Sequence, residues 1–317
     1  MATVTFVDSH ELTDTTGTPR YFDFNEDGTT LIIVEGSSDF LEEYVLTTGY
    51  DLTTLSYAGD AQRFNSHAGG TGDGQPRGME FNDDGTIMFV IGNAADEINQ
   101  YSLSNGYDVS TASFTQKFDI TNKVGTGPHG IEFNDDGTKI FLNNRGTSVL
   151  EFHINAFDVT PLGALKNTID LSAHLTEGSM RGMEFGDDGN KFFVIEADCA
   201  SACFDVAKVH EFTLGIAYDM SSFSYEGEFD VLEWEQDAQG FGFNPDGTKM
   251  YVLGTNRGTG GGGSHWNGDG EFIREFALSC PWQLTGTCGE FKKHHDCYDC
   301  EAPKPVSYTH LTLPTKA

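Results

Sequence analysis

The chain has 317 residues, of which 49 are acidic and 18 basic, so its formal net charge at pH 7 is −31. A surface this acidic repels nucleic-acid phosphates and anionic membranes, and we expect neither as a partner. No apolar run is long enough to span a membrane. The first residues, MATVTFVDSHEL, contain no basic segment followed by an apolar one, so they predict no secretory signal.

Two short apolar runs joined by an Asp-Gly pair recur five times along the chain. Asp-Gly between apolar runs is a strong hairpin signal, because glycine supplies the positive φ that a tight turn needs. The turn glycines are Gly28, Gly85, Gly137, Gly189 and Gly247, and a phenylalanine lies four residues before each of them: Phe24, Phe81, Phe133, Phe185 and Phe243. The period of about 50 to 60 residues predicts a repeat architecture.

Two further runs follow each hairpin. The third run ends in an aromatic and an aliphatic residue, as in EEYVL and REFAL, and a turn of the GYD type leads to the fourth run. Four antiparallel strands per repeat, named a to d from the axis outward, cannot bury their apolar faces alone, but five such sheets around an axis can. The sequence therefore predicts an all-β fold, a five-bladed β-propeller with four-stranded antiparallel blades.

The ends of the chain decide how the ring closes. The N-terminal run ATVTFVD has the character of a d strand, and we expect it to complete the fifth blade, whose pattern breaks off at CPWQL. We assign residues 1–279 to the propeller, 280–304 to a Cys-rich extension and 305–317 to a non-native tail, because VSYTHLTLPT resembles a translated sequencing adapter. Six or seven blades are the alternative if the chain is truncated.

The repeats DGTKMYVLGTN, DGTKIFLNN and DGTIMFVIGN resemble the YVTN family of propeller repeats and the related lactonase-type and surface-layer propellers. A longer form, with QYSLSNGYDVSTASF after the hairpin, resembles repeats of marine bacterial and phage structural proteins. The resemblance covers about residues 20–280 and implies the architecture. It implies no single activity, since propellers carry many unrelated functions.

Strand order fixes which loops share a face. The a–b and c–d turns lie on one face and are short, whereas the d–a and b–c loops lie on the other and contain the irregular segments 66–75, 197–207 and 255–270. We name the second the loop face. Variable loops on a rigid scaffold commonly carry binding sites, so we expect a protein or glycan partner there. The surface-protein resemblance implies an extracellular, cell-surface or virion location.

Residues entering the a strands form a predicted ring at one mouth of the axial channel: Arg20, Arg77, His129, Arg181 and Gln239. We name these the mouth residues. One interpretation is a cationic mouth that binds a carboxylate or a sugar acid, with Asn144, Arg145, Asn256 and Arg257 of neighbouring b–c loops as further ligand-binding residues. The other is salt bridging between blades, which satisfies partly buried charges.

Three residues after the mouth residues come four acids: Asp23, Glu80, Glu132 and Glu184, with Gly242 in the fifth repeat. We name the four acids the acidic ring. Because side chains alternate along a strand, we expect each acid on the strand face opposite its mouth residue. No cofactor is required by the sequence, but calcium or zinc held by this ring is the alternative.

All six cysteines lie after residue 198. Cys199 and Cys203 fall in one b–c loop, where a disulfide would fasten the excursion. Cys280, Cys288, Cys297 and Cys300 form the tail together with His294 and His295. An even count at close spacing favours disulfides such as Cys280–Cys288 and Cys297–Cys300, with a zinc site as the alternative.

No nucleophile elbow, phosphate-binding glycine loop or HExxH motif is present in the sequence. We therefore favour a non-catalytic binding or structural module that presents loops on one face. The alternative is an enzyme of the lactonase or lyase type that acts on a small anionic substrate, with His129, Arg77 and Arg181 at the channel mouth as its catalytic residues.

Overall fold

A computed structural model describes residues 1–13, 17–67, 74–125, 127–176, 179–197, 206–256 and 270–288. Five four-stranded antiparallel sheets form a ring, so the predicted five-bladed β-propeller is confirmed. Four blades are continuous in sequence. The fifth is assembled from both ends of the described chain.

The strands follow the repeats. Blade one contains β2 (Pro19–Phe24), β3 (Thr30–Glu35), β4 (Phe40–Leu46) and β5 (Leu55–Tyr57), and the short β6 (Phe64–Asn65) also pairs with β4. Blade two contains β7 (Pro76–Phe81), β8 (Ile87–Gly92), β9 (Glu97–Leu103) and β10 (Ala112–Asp119). Blade three contains β11 (Gly130–Phe133), β12 (Lys139–Asn143), β13 (Ser148–His153) and β14 (Leu165–Asp170).

Blade four contains β15 (Met180–Gly186), β16 (Lys191–Ala197), β17 (Ala207–Leu214) and β18 (Phe223–Asp230). Blade five contains β19 (Ala238–Phe243), β20 (Lys249–Asn256), β21 (Gly270–Leu278) and, as its outer strand, β1 (Val4–Glu11). Pairing of β1 with β21 joins the first and last strands of the ring, with Val4 opposite Leu278. This closure prevents the first and last blades from separating without loss of a full strand pair.

In the described ranges, helical structure is confined to single turns. The α-helix α1 (Thr121–Val124) lies between β10 and β11, and a 3-10 turn at Asp60–Gln62 precedes β6. Three further 3-10 turns, Leu52–Thr54, Val109–Thr111 and Met220–Ser222, precede the d strands of blades one, two and four. Each of these three is capped by an aspartate whose carboxylate accepts the backbone N–H two residues later, which fixes the start of the outer strand.

The Asp-Gly hairpins show why the repeat sequence is so regular. In blade three, Asn134 Oδ1 accepts the Lys139 amide at 2.7 Å and Asp136 Oδ1 accepts the Thr138 amide at 3.0 Å. Gly137 between them has φ 65°, and a Cβ there would lie 2.5 Å from the ring of Phe157. The turn therefore requires glycine for both its backbone conformation and its contact with the aromatic side chain.

An aromatic residue covers each turn glycine. Tyr50, Tyr107, Phe157 and Tyr218 have positive φ and donate their amides to the carbonyl of the turn glycine of the same blade. Trp282 does the same over Gly247, with φ 57° and a 2.9 Å hydrogen bond. The apparent break at CPWQL is thus the fifth copy with tryptophan in place of tyrosine.

The propeller also continues past residue 279, where the sequence analysis ends it. Leu284 is buried in the apolar cluster between blades four and five, and its amide donates to Glu211 Oε2 at 2.8 Å. The Ala2 amide donates to the Gly286 carbonyl at 2.8 Å, so this segment holds the outer strand in place. Trp282 and Leu284, which lie beyond the predicted boundary at residue 279, thus pack with blades four and five.

The core consists of five apolar clusters, and each one joins two neighbouring blades. Between blades two and three, for example, Phe89, Ile131 and Phe152 pack together without exposure of Phe89 or Phe152. Because the apolar area is buried between blades rather than within them, no single blade is expected to be stable alone. Among the described residues, none of the helical segments has the length or the apolar content that crossing a bilayer demands.

Cys280 and Cys288 are joined by a disulfide with 5.6 Å between their Cα atoms. It closes a short loop around Trp282 and Leu284. Replacing both cysteines by serine is expected to lower the free energy of unfolding by about 2–3 kcal/mol, because the unfolded chain gains the freedom of the opened loop. Denaturant unfolding with and without a reductant measures this. Equal stability of the oxidised parent and the double variant would contradict it.

Candidate functional site

The mouth residues are positioned by β-bulges at the start of the innermost strands. In blades one, two, four and five the pairing between the first two strands skips one residue, which is Arg20, Arg77, Arg181 and Gln239, respectively. A bulged residue leaves the ladder, and its side chain is turned away from the direction that regular alternation would give. The four side chains are thus redirected at the same level of four blades.

The bulge bears on one prediction. An offset of three residues was expected to place each mouth residue and its acid on opposite strand faces. In β2 the bulge lies between Pro19 and Tyr21, so regular alternation does not run from Arg20 to Asp23. The expectation of opposite faces assumed a continuous ladder, and it stays a prediction.

Blade three differs from the other blades at the mouth. The His129 amide donates to the Asn143 carbonyl at 3.0 Å, just before β11 begins, and the imidazole is only 4% exposed. His129 Nδ1 lies 3.1 Å from the Gly127 carbonyl oxygen, which can only accept, so Nδ1 carries the proton. His129 Nε2 is buried without a hydrogen-bond partner among the described residues.

The mouth arginines use only part of their hydrogen-bonding capacity on neutral groups. Arg20 Nη1 donates to Gln239 Oε1 at 2.7 Å, which joins blades one and five. Arg181, 3% exposed, donates through Nε to the Ala197 carbonyl at 3.4 Å, while its Nη2 has no partner in the described part of the chain. Arg77 Nη2 donates weakly to Gln75 Oε1 at 3.5 Å.

Salt bridges between the mouth and the acidic ring are absent from the described residues. Their ion pairs include neither Arg77 nor Arg181, and none of the four ring acids. Interblade salt bridging, the second interpretation of the sequence, therefore does not describe Arg77 or Arg181. Positive charge is held together at this end of the channel without a neutralising carboxylate on either side chain.

Burial and the neighbouring positive charges lower the pKa values of Arg77 and His129. Burial, followed by the charges of Arg20, Arg145 and Arg181, lowers the pKa of Arg77 to about 10. Burial and the nearby Arg77 charge hold the pKa of His129 well below its usual value. His129 is therefore neutral at pH 7, and with the proton on Nδ1 its Nε2 offers a lone pair. The mouth combines cationic donors with one neutral acceptor.

The remaining predicted ligand-binding residues are distributed unevenly. Asn144 is engaged locally, since its Nδ2 donates to the Val124 carbonyl at 2.7 Å and its Oδ1 accepts the Gly146 amide at 3.3 Å. Arg145 has φ 64°, and its charge contributes to lowering the pKa of both Arg77 and His129. Asn256 ends β20, and Arg257 lies outside the described residues.

The acidic ring is brought together around a second feature, a cavity of about 240 Å³ on the channel axis. Asp23, Glu80, Glu132 and Glu184 line it together with Asp83 and Asp135 of the a–b turns. The cavity therefore opens toward the turn face, opposite the loop face that the sequence favoured. Gly242 leaves space in the fifth blade, where an added Cβ would approach Glu184 Oε2 to 3.3 Å.

Burial is the first cause of the raised pKa of every ring acid. It raises the pKa of Asp23 to about 7, and it holds the pKa values of Glu80, Glu132 and Glu184 well above the usual range. Repulsion between the carboxylates adds to the shifts of Glu80 and Glu132. Within the described ranges, no three His, Cys, Asp or Glu side chains are arranged to hold a metal ion. The ring is thus a set of largely protonated carboxyl groups.

Tyr21 reaches across the channel and was missed by the sequence analysis. It occupies the position of glycine in the other a strands, which have Gly78, Gly130, Gly182 and Gly240. Its hydroxyl donates to Glu132 Oε1 at 3.3 Å. Because blades one and three are not neighbours, this hydrogen bond crosses the channel. Alignment of PRYFDF with PRGMEF was the signal that could have revealed it.

A ladder of buried polar residues was also missed. The residue before the aromatic of each c strand is Glu43, Gln100, Glu151, Glu211 and Glu275, all at most 9% exposed. In blades three, four and five a lysine that follows the Asp-Gly turn pairs with it: Lys139–Glu151 at 3.7 Å, Lys191–Glu211 at 2.5 Å and Lys249–Glu275 at 2.8 Å. Blade two replaces both partners together, with Ile87 and Gln100.

The predicted cysteine pairs are described only in part. The Cys280–Cys288 disulfide lies in the described chain. Cys199, Cys203, Cys297 and Cys300 lie outside the described residues, as do His294 and His295. A zinc site in the tail and a disulfide in the b–c loop of blade four stay predictions.

The fold and the channel define a five-bladed propeller with a cationic mouth on its loop face and an acidic cavity on its turn face. No family model and no curated protein matches the sequence. Among solved structures, a luciferin-regenerating enzyme is 11% identical, with a TM-score of 0.50, over 87% of this chain and 95% of that one.

Two further solved structures are similar at lower TM-scores. A Bacteroides fragilis protein with a provisional assignment as a 6-phosphogluconolactonase is 13% identical, with a TM-score of 0.48, over 80% of this chain and 89% of that one. Hydrazine synthase of Kuenenia stuttgartiensis is 16% identical, with a TM-score of 0.44 over 78% of this chain, which spans 59% of that protein's length. Identities this low concern the fold alone. The YVTN and phage resemblances stay predictions.

Proposed function

We propose that this propeller is a non-catalytic binding module that holds a small carboxylate ligand, a sugar acid free or at the end of a glycan, at its cationic mouth. The observation that carries the proposal is the group of Arg77, Arg181 and His129, which has no neutralising carboxylate among the described residues of a chain whose net charge is −31. Guanidinium groups bind carboxylates with charge-assisted hydrogen bonds that are about twice as strong as neutral ones.

The neutral histidine refines the ligand class. Arg181 Nη2 offers a buried donor, whereas His129 Nε2 offers a buried acceptor. A ligand that satisfies both carries a carboxylate and a nearby hydroxyl, as aldonic and uronic acids do. Leaving either group unmatched costs about 1–3 kcal/mol, so neutral sugars and simple carboxylates are expected to bind more weakly.

Calorimetric titration with gluconate, galacturonate, acetate and glucose tests the proposal. We expect the two sugar acids to bind, and Arg77→Gln and Arg181→Gln each to weaken binding about tenfold or more, since each removes a charge-assisted hydrogen bond. Arg63→Gln is the matched control, because Arg63 pairs with Asp60 on the outer part of blade one. Equal affinity for glucose, or equal loss in all three variants, would contradict the proposal.

The lactonase-type alternative is favoured by one observation, the lone pair of His129 Nε2 beside the arginine charges. In such a reaction His129 would take a proton from water as its oxygen attacks the lactone carbonyl, and the arginines would stabilise the oxyanion. The ring C–O bond would then break, with the proton returned to the leaving oxygen. Acid release from δ-gluconolactone that is lost in His129→Asn would establish it, and binding without turnover would support the binding module.

The sequence-based predictions of an extracellular, cell-surface or virion location and of a glycan or protein partner agree with this proposal. A glycan that ends in a sugar acid would meet both the mouth and the surrounding loop face. The acidic turn face would repel the same ligand, so binding is expected at one end of the channel only.

A further inference from the structure

The polar ladder on the third strands is complete in four blades. In blade four, Glu211 Oε1 accepts Lys191 Nζ at 2.5 Å, and Oε2 accepts the amide of Leu284, two residues after Trp282 of the next blade, at 2.8 Å. In blades three and five the lysine also reaches the next blade, since Lys139 Nζ donates to the Tyr218 carbonyl at 2.8 Å and Lys249 Nζ to the Tyr50 carbonyl at 2.7 Å.

Blade two makes the corresponding contact with its neighbouring blade through neutral groups. Ile87 replaces the lysine and Gln100 replaces the glutamate. Gln100 Oε1 accepts from Gln116 Nε2 at 2.6 Å, and Gln116 Oε1 accepts from Thr160 Oγ1 of blade three at 2.9 Å. No charge is buried here, so none needs a partner.

Blade one matches neither the lysine–glutamate pair of blades three to five nor the neutral arrangement of blade two. Glu43 keeps the carboxylate, but Thr30 stands where the lysine would be. The Val109 amide, two residues after Tyr107 of blade two, donates to the Glu43 carboxylate, as Leu284 does to Glu211. Glu43 Oε2 is buried without a partner among the described residues, and the side chain is only 7% exposed.

The backbone carbonyl of Tyr107, on the facing side in blade two, is unmatched as well among the described residues. Tyr107 corresponds to Tyr50 and Tyr218, whose carbonyls each accept a lysine. In the described part of the chain no hydrogen bond reaches the Tyr107 carbonyl oxygen. Two unmatched oxygens therefore face the place that a lysine ammonium group fills in blades three and five.

We propose that a single small cation, of the oxygen-seeking class to which Na⁺ and Ca²⁺ belong, binds between blades one and two at Glu43 Oε2 and the Tyr107 carbonyl, in the place of the missing lysine. Carboxylate and carbonyl oxygens are the ligands such ions prefer, and water completes their coordination. The Asp108 carboxylate is close enough to act on Glu43 electrostatically and adds negative potential. The proposed site therefore contains a single carboxylate ligand, that of Glu43.

The chain offers two matched variants that abolish the need for the ion. Thr30→Lys supplies the ammonium group of blades three and five, and Thr30→Ile/Glu43→Gln transfers the neutral arrangement of blade two. Both change the formal charge by one unit, so general screening by salt is equal for them. Neither touches the mouth residues, and sugar-acid binding should be unchanged in both.

Thermal unfolding of the full chain is measured with NaCl or CaCl₂ against choline chloride at constant ionic strength. We expect one of the small cations to raise the Tm of the parent protein saturably, by about 5 °C at roughly a hundredfold excess over its Kd. Both variants should lose this increase and match the cation-bound parent in choline chloride. Saturation by Na⁺ at millimolar or Ca²⁺ at micromolar concentration distinguishes the two ions.

An equal Tm increase in the parent protein and the Thr30→Ile/Glu43→Gln variant would overturn the proposal, because it would show screening of the acidic surface only. The absence of any cation-specific increase in the parent would also overturn it. Loss of the increase in Thr30→Ile/Glu43→Gln but not in Thr30→Lys would assign the ion to another group that depends on Glu43, and would equally reject this site.

Discussion

Lys191→Met is expected to lower the free energy of unfolding by about 3–5 kcal/mol, because it leaves the buried Glu211 carboxylate without its cation. Glu211 is 1% exposed, and Lys191 Nζ lies 2.5 Å from its Oε1. The two backbone amides that Glu211 also accepts, from Leu284 and Thr285, hold the last segment of the chain against blade four. Denaturant unfolding at pH 7 measures the loss.

The chain offers two controls for this prediction. Lys117→Met removes the same side chain from a pair with Glu97 in which the lysine side chain is 46% exposed, and we expect it to cost less than about 1 kcal/mol. The double variant Lys191→Met/Glu211→Gln copies the Ile87 and Gln100 arrangement of blade two and should recover most of the stability. A double variant as unstable as Lys191→Met would show that packing of the lysine stem, rather than the unpaired charge, causes the loss.

The free energy of unfolding is expected to fall as the pH rises from 7 to 9. Burial, with repulsion from Glu271 and Glu42, raises the pKa of Glu35 to about 9, and the ring acids Glu80, Glu132 and Glu184 also have raised pKa values. The folded chain therefore keeps protons that the unfolded chain releases near pH 4.5. Each retained proton lowers the free energy of unfolding by about 1.4 kcal/mol per pH unit, up to the pKa of that group in the folded state.

The variants Glu35→Gln and Glu132→Gln separate the contributions of these two carboxyl groups to the pH dependence of stability. Each removes one titrating group, so each should flatten the dependence of unfolding free energy on pH between 7 and 9, and Glu35→Gln should be more stable than the parent at pH 9. In this window surface carboxylates of ordinary pKa are ionised in both states, so they do not obscure the slope. Stability that is constant or rises from pH 7 to 9 would contradict the raised pKa values.

The fold could be predicted from the sequence because the repeat is written in residues with strict local requirements. Gly137 must be glycine both for its φ of 65° and for its contact with Phe157, so the turn pattern survives where the strands vary. The period of the turns then fixes the number of blades. Trp282 escaped because its neighbours differ from GYD, although it covers Gly247 as the tyrosines cover their glycines.

The candidate site could be predicted only in outline. Equal register in each repeat placed Arg77 and Arg181 at one level, and the Arg181 charge contributes to lowering the pKa of Arg77. The bulges that redirect them depend on how two strands pair, which a strand's own sequence does not specify. That His129 Nε2 is unmatched depends likewise on the position of the Gly127 carbonyl.

The residues whose roles were not predicted from the sequence are those that depart from the repeat pattern. Tyr21 in a glycine position forms a hydrogen bond across the channel, and Thr30 in a lysine position leaves Glu43 Oε2 unmatched among the described residues. Each substitution has a consequence only through a partner in another blade, Glu132 and Tyr107 respectively. Such pairs become visible when the ring is assembled, because the partners are far apart in sequence.

We propose that the mouth on the loop face is an anion site. The most direct measurement is the anomalous scattering of crystals soaked in bromide, which locates a bound anion whichever sugar acid is the natural ligand. We predict a bromide peak beside the Arg77 and Arg181 guanidinium groups that disappears in Arg181→Gln crystals and that a sugar acid displaces. An empty mouth, with both guanidinium groups paired to carboxylates of the protein, would contradict the claim.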